Sequence, residues 1–231
     1  MKNFTSKLLL YIAVLSPVFV QAQVPILSSY PSASATLFID FDGHQVQSAA
    51  WNSANPFSCL PAAITTAQVN EIFNRVSEDF RPFNINITTD SSKFLAAPLN
   101  KRMRVVVTPS SSWYLGNVGG VSFVGSFTWG DNTPAFVFSD KLNNNSKNIA
   151  ECITHESGHT VGLSHQSRYD ANCNLTEQYH IGSGSGETSW APVMGNSYYR
   201  NMTGWNDGPT PFGCANTQDN LTIITNANGF T

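Results

Sequence analysis

Two spacings of apolar residues organise the chain. In ATLFIDFDG (35–43), Leu37, Ile39 and Phe41 alternate with Phe38 and Asp40 and the run stops at Gly43, which is the period of a strand. In TTAQVNEIFNRVSEDF (65–80), Val69, Ile72, Phe73, Val76 and Phe80 recur at spacings of three and four and so share one face of an amphipathic helix. Thr65 or Thr66 supplies its N-cap, and the helix must end before Pro82. FNINITT (83–89) and MRVVVT (103–108) are strand-like, the second so uniformly apolar that a mid-sheet position is predicted. GGVSFVGSFTW (119–129) follows as a glycine-punctuated strand suited to a sheet edge, and AFVFS (135–139) as another.

NNNSKNIAECITHESGHTVG (143–162) predicts a helix capped by Asn145 or Ser146 and closed by Gly162. Beyond His165 the periodicity fades. GSGSGE (182–187) is a flexible loop rather than a phosphate cradle, because no clear strand precedes it and no clear helix follows. A short helix is predicted in NTQDNLTII (216–224), with Asn216 or Thr217 as cap. Strand, helix, several strands and a second helix define an α/β or α+β domain.

The N-terminus changes the picture of where the chain works. Lys2 and Lys7 precede an apolar run from Leu8 to Val20 that is interrupted by Ser16 and Pro17, with the small residue Ala22 at a cleavage point. That is the layout of a secretory signal over residues 1–22 and too short for a membrane span, so the mature chain is expected to be exported and free of the membrane, whether periplasmic or extracellular. Two of the twelve Lys and Arg lie in that segment, so the mature balance is 10 − 15 = −5, and no basic stripe is present for nucleic-acid phosphates. The mature length suits one domain, and a monomer is expected. Cys59, Cys152, Cys173 and Cys214 form an even set in an exported chain, which favours two disulfides; three connectivities exist, with a weak lean to Cys59–Cys152 and Cys173–Cys214.

HESGHTVGLSH (155–165) carries three of the five histidines. His155 and His159 are four residues apart, about 400° of helical rotation and roughly 6 Å of rise, so both rings lie on one face and can bind one ion. In a continued helix His165 would sit about 9 Å further along and roughly 120° off that face. A zinc–nitrogen distance of about 2.0–2.1 Å forbids this, and Gly162, free to turn left-handed, supplies the break that returns His165 to the metal. Glu156 lies about 100° around the helix, beside the ion rather than on it, where it can act as general base towards a water at the open fourth position. A structural zinc without catalysis would have no use for Glu156, and solvated or core histidines would need no such spacing.

The segment matches the pattern HExxHxxGxxH at every fixed position, and APVMG (191–195) looks like a Met-turn with Met194 beneath the metal. Together with LFIDFDGH, VSEDFRPFNINITT, GGVSFVGSF and WAPVMGNSYYRNMTGW, the chain from about residue 36 to 225 resembles the metzincin zinc metalloproteases, more narrowly a group of secreted bacterial ones. The resemblance implies one catalytic zinc on His155, His159 and His165, with Glu156 as base and Met194 as the Met-turn residue. It also implies a twisted mixed sheet and active-site helix in an upper subdomain (about 30–162), and a smaller irregular lower one (about 163–231) with a C-terminal helix. Protein or peptide substrates would lie in the cleft between them, beside an edge strand in GGVSFVGSFTW.

The pattern is not kept everywhere. Astacins and serralysins have a tyrosine two residues after the Met-turn methionine; here Asn196 stands there, so Tyr198 or Tyr199 is the candidate transition-state stabiliser, set against plain packing. No full propeptide fits between Ala22 and the first strand, and Cys59 as a thiolate blocker of the zinc is disfavoured against a disulfide. Asp40 and Asp42 are candidate calcium ligands without a supporting motif, and His44 is expected to be structural. The alternatives to an endopeptidase are an exported binding or adhesion module on the same fold, or a zinc hydrolase of a non-peptide amide.

Overall fold

The computed structural model describes residues 24–231, so the signal-segment reading lies outside the described residues. In chain order the elements are β1 (Ala35–Asp40), β2 (His44–Val46), β3 (Phe57–Cys59), α1 (Thr66–Asp79), β4 (Ile85–Thr88), α2 (Ser91–Ala96) and β5 (Arg102–Thr108). There follow β6 (Gly120–Val121), β7 (Ala135–Phe138), α3 (Ser146–Thr160), β8 (Arg168–Tyr169), β9 (Leu175–Glu177) and β10 (Trp190–Pro192). The chain closes with β11 (Met202–Gly204), β12 (Asp207–Thr210), β13 (Gly213–Asp219) and a single turn α4 (Asn220–Thr222) that widens over Ile223–Ala227.

A five-stranded sheet in the order β4-β1-β5-β7-β6 carries the fold; its pairs are parallel except β6–β7. The apolar run of β5 is therefore central, as its composition predicts. Alternation then sorts the side chains: Val105, Val107, Ala135 and Val137 face one cluster, and Val106, Phe136 and Phe138 face the other. α1 and α3 pack on the first face through Val69, Ile72, Phe73, Val76, Ile149 and Ile153. The second face is covered by aromatic side chains, Trp51, Phe57 and Trp113 stacking around Phe136. Residues 27–29 bind the backbone of Ile87 and Thr89 along the β4 edge. The opposite edge, β6, is left uncovered by any strand among the described residues.

The caps follow the sequence. Thr65 forms a full capping box with Gln68, and Asn145 caps α3 through the backbone N–H of Asn148. Two expectations fail at the C-terminal end and in the edge strand. Residues 213–219 extend as β13 against β12, so the terminal helix starts only after Asp219, which accepts from Thr222, and neither Asn216 nor Thr217 caps it. Of GGVSFVGSFTW only Gly120 and Val121 pair, because Gly125 turns left-handed (φ +78°) into a short 3₁₀ turn.

One disulfide joins Cys173 to Cys214; Cys59 and Cys152 are free and buried. The second predicted bridge is wrong for a simple reason. Cys59 packs with Val106 and Phe136 on one face of the central sheet, while Cys152 lies on α3 in the core of the other. The sheet stands between them, and the same placement keeps Cys59 from being a thiolate blocker of a metal on α3.

Asp79, at the end of α1, joins the helices: Thr154 of α3 donates to its carboxylate at 2.7 Å and the Trp205 indole donates to its carbonyl at 2.7 Å. Burial pushes its pKa from 3.8 to about 7, against the lowering effect of the Thr154 hydroxyl. The folded chain then holds a proton that the unfolded chain loses, so stability falls as pH rises from about 4 to about 7. Asp79→Asn is expected to match wild type near pH 4 and to gain on the order of 1–3 kcal/mol above pH 7. Parallel melting curves of the two proteins across that range would show it, and a constant difference would refute the assignment.

Candidate metal centre

His155 and His159 project from one face of α3, which is buried over nearly its whole length. The helix ends at Thr160, and Gly162 at φ +101° closes it in a Schellman motif: Gly162 N–H bonds to His159 C=O at 2.9 Å and Leu163 N–H to Gly158 C=O at 3.1 Å. The reversal carries His165 back, and one nitrogen of each of the three rings lies within 4.8 Å of the others. The Nε2 atoms of His159 and His165 are 3.0 Å apart, close to the roughly 3.3 Å that two nitrogens keep on a tetrahedral zinc.

The remaining ring nitrogens are already used. His155 Nδ1 donates to Val193 C=O at 2.8 Å and His159 Nδ1 to Leu163 C=O at 2.7 Å, which fixes the tautomer that leaves Nε2 free for a metal. Burial holds all three imidazoles neutral, with the His165 pKa lowered to about 4. Three neutral, pre-oriented donors, with no fourth ligand in the cluster among the described residues, fit an open zinc site.

His165 lies on irregular chain, and its position comes from elsewhere. The Gln218 side chain of β13 pairs with both backbone groups of Ser164, at 2.9 and 2.6 Å. Gln166 N–H bonds to Met194 C=O at 2.7 Å, Ser167 N–H to Pro209 C=O at 2.8 Å, and the Tyr169 hydroxyl to Thr210 C=O at 2.9 Å. The hairpin β12–β13 is thus the template for the position of His165. Gln218→Ala is expected to weaken zinc binding about 10–100-fold, measured by competition with a chromophoric chelator; unchanged affinity would make Gln218 a packing residue only.

Met194 is fully buried in the turn Pro192–Gly195, and its sulfur lies so close to Gly158 that a Cβ there would overlap it. It therefore packs against α3 at Gly158, the residue before His159. Glu156 lines the same cavity as the imidazoles without being one of the converging donors; a Cβ on Gly120 of β6 would overlap its Cγ, and the Ser122 hydroxyl donates to Oε2 at 2.6 Å. Burial raises its pKa to about 7, the Ser122 bond opposing.

Both candidate tyrosines follow the turn but go different ways. Tyr199 is 84 % exposed and does not line the cavity, whereas Tyr198 does, with its hydroxyl against Gly119. Sequence reasoning missed Tyr179, whose ring packs on His165 at 4.4 Å between centroids; one tyrosine in a polar loop carries no periodic signal. Asp40 is committed to Arg104, which also approaches His44 Nδ1 at 3.1 Å, so both serve the sheet end, and nothing beyond the sequence supports calcium. Among the described residues the three histidines form the one cluster fit for a metal.

A cavity of about 360 Å³ lies over the imidazoles, bordered by β6 on one side and residues 193–198 on the other. The three histidines, with a buried carboxylate on the same cavity lining, form a group that could hold a metal ion. Residues 105–216, from β5 into β13, match the model of the reprolysin-like metallo-peptidase family M12B, and that span is recognised as a metallopeptidase of the metzincin clan. Comparison with curated proteins gives no match. The family uses zinc and acts on proteins or peptides.

Proposed function

We propose that the protein is an exported zinc endopeptidase in which His155, His159 and His165 hold the ion and Glu156 handles the proton. The observation that carries this reading is the division of labour on α3: two histidines and the returned third converge, while Glu156 between them is a buried carboxylate that lines the same cavity without joining the cluster. Zinc, when bound, supplies Lewis acidity at the scissile carbonyl and acidifies water beside it. Glu156 takes the proton of the attacking water and passes it to the leaving amine. Ser122 holds the carboxylate at the edge of β6, and Met194 keeps the floor under His155 and His159 dry and fixed. Among the described residues no helix is long and apolar enough to cross a membrane.

The test is zinc content and cleavage of unfolded casein by the purified mature chain, with a chelator control. One zinc per chain with chelator-sensitive cleavage supports the reading. One zinc with no cleavage of any protein would overturn it in favour of a binding module or a non-peptide hydrolase.

A further inference from the structure

Beyond the metal, the cavity has a floor. The Tyr198 ring crosses from the segment after the Met194 turn to the junction of β6 and α3. There its hydroxyl lies 3.0 Å from where a Cβ on Gly119 would be. Its root is held as firmly: Lys147 Nζ donates to Ser197 C=O at 3.1 Å and to Tyr198 C=O at 3.3 Å, and pairs with Glu151 at 3.3 Å. The Ser197 hydroxyl donates to the other oxygen of Glu151, which lies one helical turn before His155 and is buried. The wall of the cavity is thereby fastened to the metal-binding helix itself.

Two properties of the space follow. Gly119 and Gly120 bring the start of β6 so close to α3 that a Cβ on Gly120 would overlap Glu156 and Cys152, and the Tyr198 ring lies against Gly119, which leaves the space beside Glu156 narrow. The one other charged side chain on the lining beside Glu156 is Glu151, and Lys147 neutralises it. Selection there works by size, not charge.

We propose that Tyr198 is a specificity-determining residue that closes the cavity beside Glu156, so that only a small uncharged side chain is accepted next to the scissile bond. This rests on the peptidase reading above. The ring, seated against Gly119 and rooted through Ser197 and Lys147, acts by its bulk.

The test uses binding, which needs no turnover: affinities of the zinc-loaded protein for two peptide hydroxamates that differ only in carrying alanine or phenylalanine beside the chelating group. Wild type is expected to bind the alanyl probe at least about tenfold more tightly. Tyr198→Ala should abolish or reverse that ratio at unchanged zinc content, while Tyr198→Phe keeps the ring and the ratio. Should the alanine variant lose its zinc, Tyr198→Leu, which retains apolar bulk at the root, replaces it. Equal wild-type affinities, or a ratio that survives truncation, would overturn the proposal. Casein cleavage measured beside it separates the two claims, since an intact ratio without cleavage would defeat the peptidase reading and leave the pocket assignment standing.

Discussion

Glu156→Gln is expected to lower peptide turnover by about 10²–10⁴-fold while leaving one zinc per chain. The carboxylate is not among the converging nitrogens, so its replacement removes no ligand. Glutamine has nearly the same shape and its carbonyl oxygen still accepts from the Ser122 hydroxyl, so the packing of β6 against α3 survives. Only the capacity to take a proton is lost. The measurement is metal analysis beside initial rates on one peptide; full activity in the variant would place the proton on another group, and loss of zinc would show that Glu156 supports the ligands themselves.

Removing the Cys173–Cys214 bridge by a double serine substitution is expected to cost roughly 2–4 kcal/mol of stability, since a cross-link spanning 41 residues restrains the unfolded chain by about 4 kcal/mol in the chain-entropy account. Stability is only part of the effect. The bridge ties β13 to the loop after His165, and β13 carries Gln218, which holds Ser164. Zinc affinity should therefore fall together with the denaturation midpoint, and the two losses should be separable by unfolding with and without chelator. An unchanged midpoint would mean that the hydrogen bonds of the hairpin fix it unaided.

Most of the metal centre is readable before any coordinates, because its requirements are local. Helical spacing places His155 over His159, and a residue that must turn left-handed is Gly162. The caps at Thr65 and Asn145 and the central β5 follow from short-range chemistry in the same way. What stays hidden is whatever depends on partners distant in sequence. β13, GCANTQD, is polar and mostly exposed, so it has no apolar period; its identity comes from pairing with β12. Lys147 and Glu151 look like an ordinary helical charge pair until residues 196–198 arrive to be held by them. The two free thiols mislead because cysteine counting ignores that a sheet separates them.

The parallel pairing at the heart of the sheet has a consequence in time rather than in structure. Thr36 must meet Arg102 across intervening chain that includes α1 and α2, and Val105 must meet Ala135 across chain that includes β6. No tight turn can deliver such partners, so loop-closure entropy is lost before contacts repay it, and folding should be slow for a chain of this size. His155 and His159 approach one another as soon as α3 forms, but His165 takes its place only after the hairpin of β12 and β13 has docked. Full zinc affinity is thus a late event, arriving with the completed fold rather than guiding it.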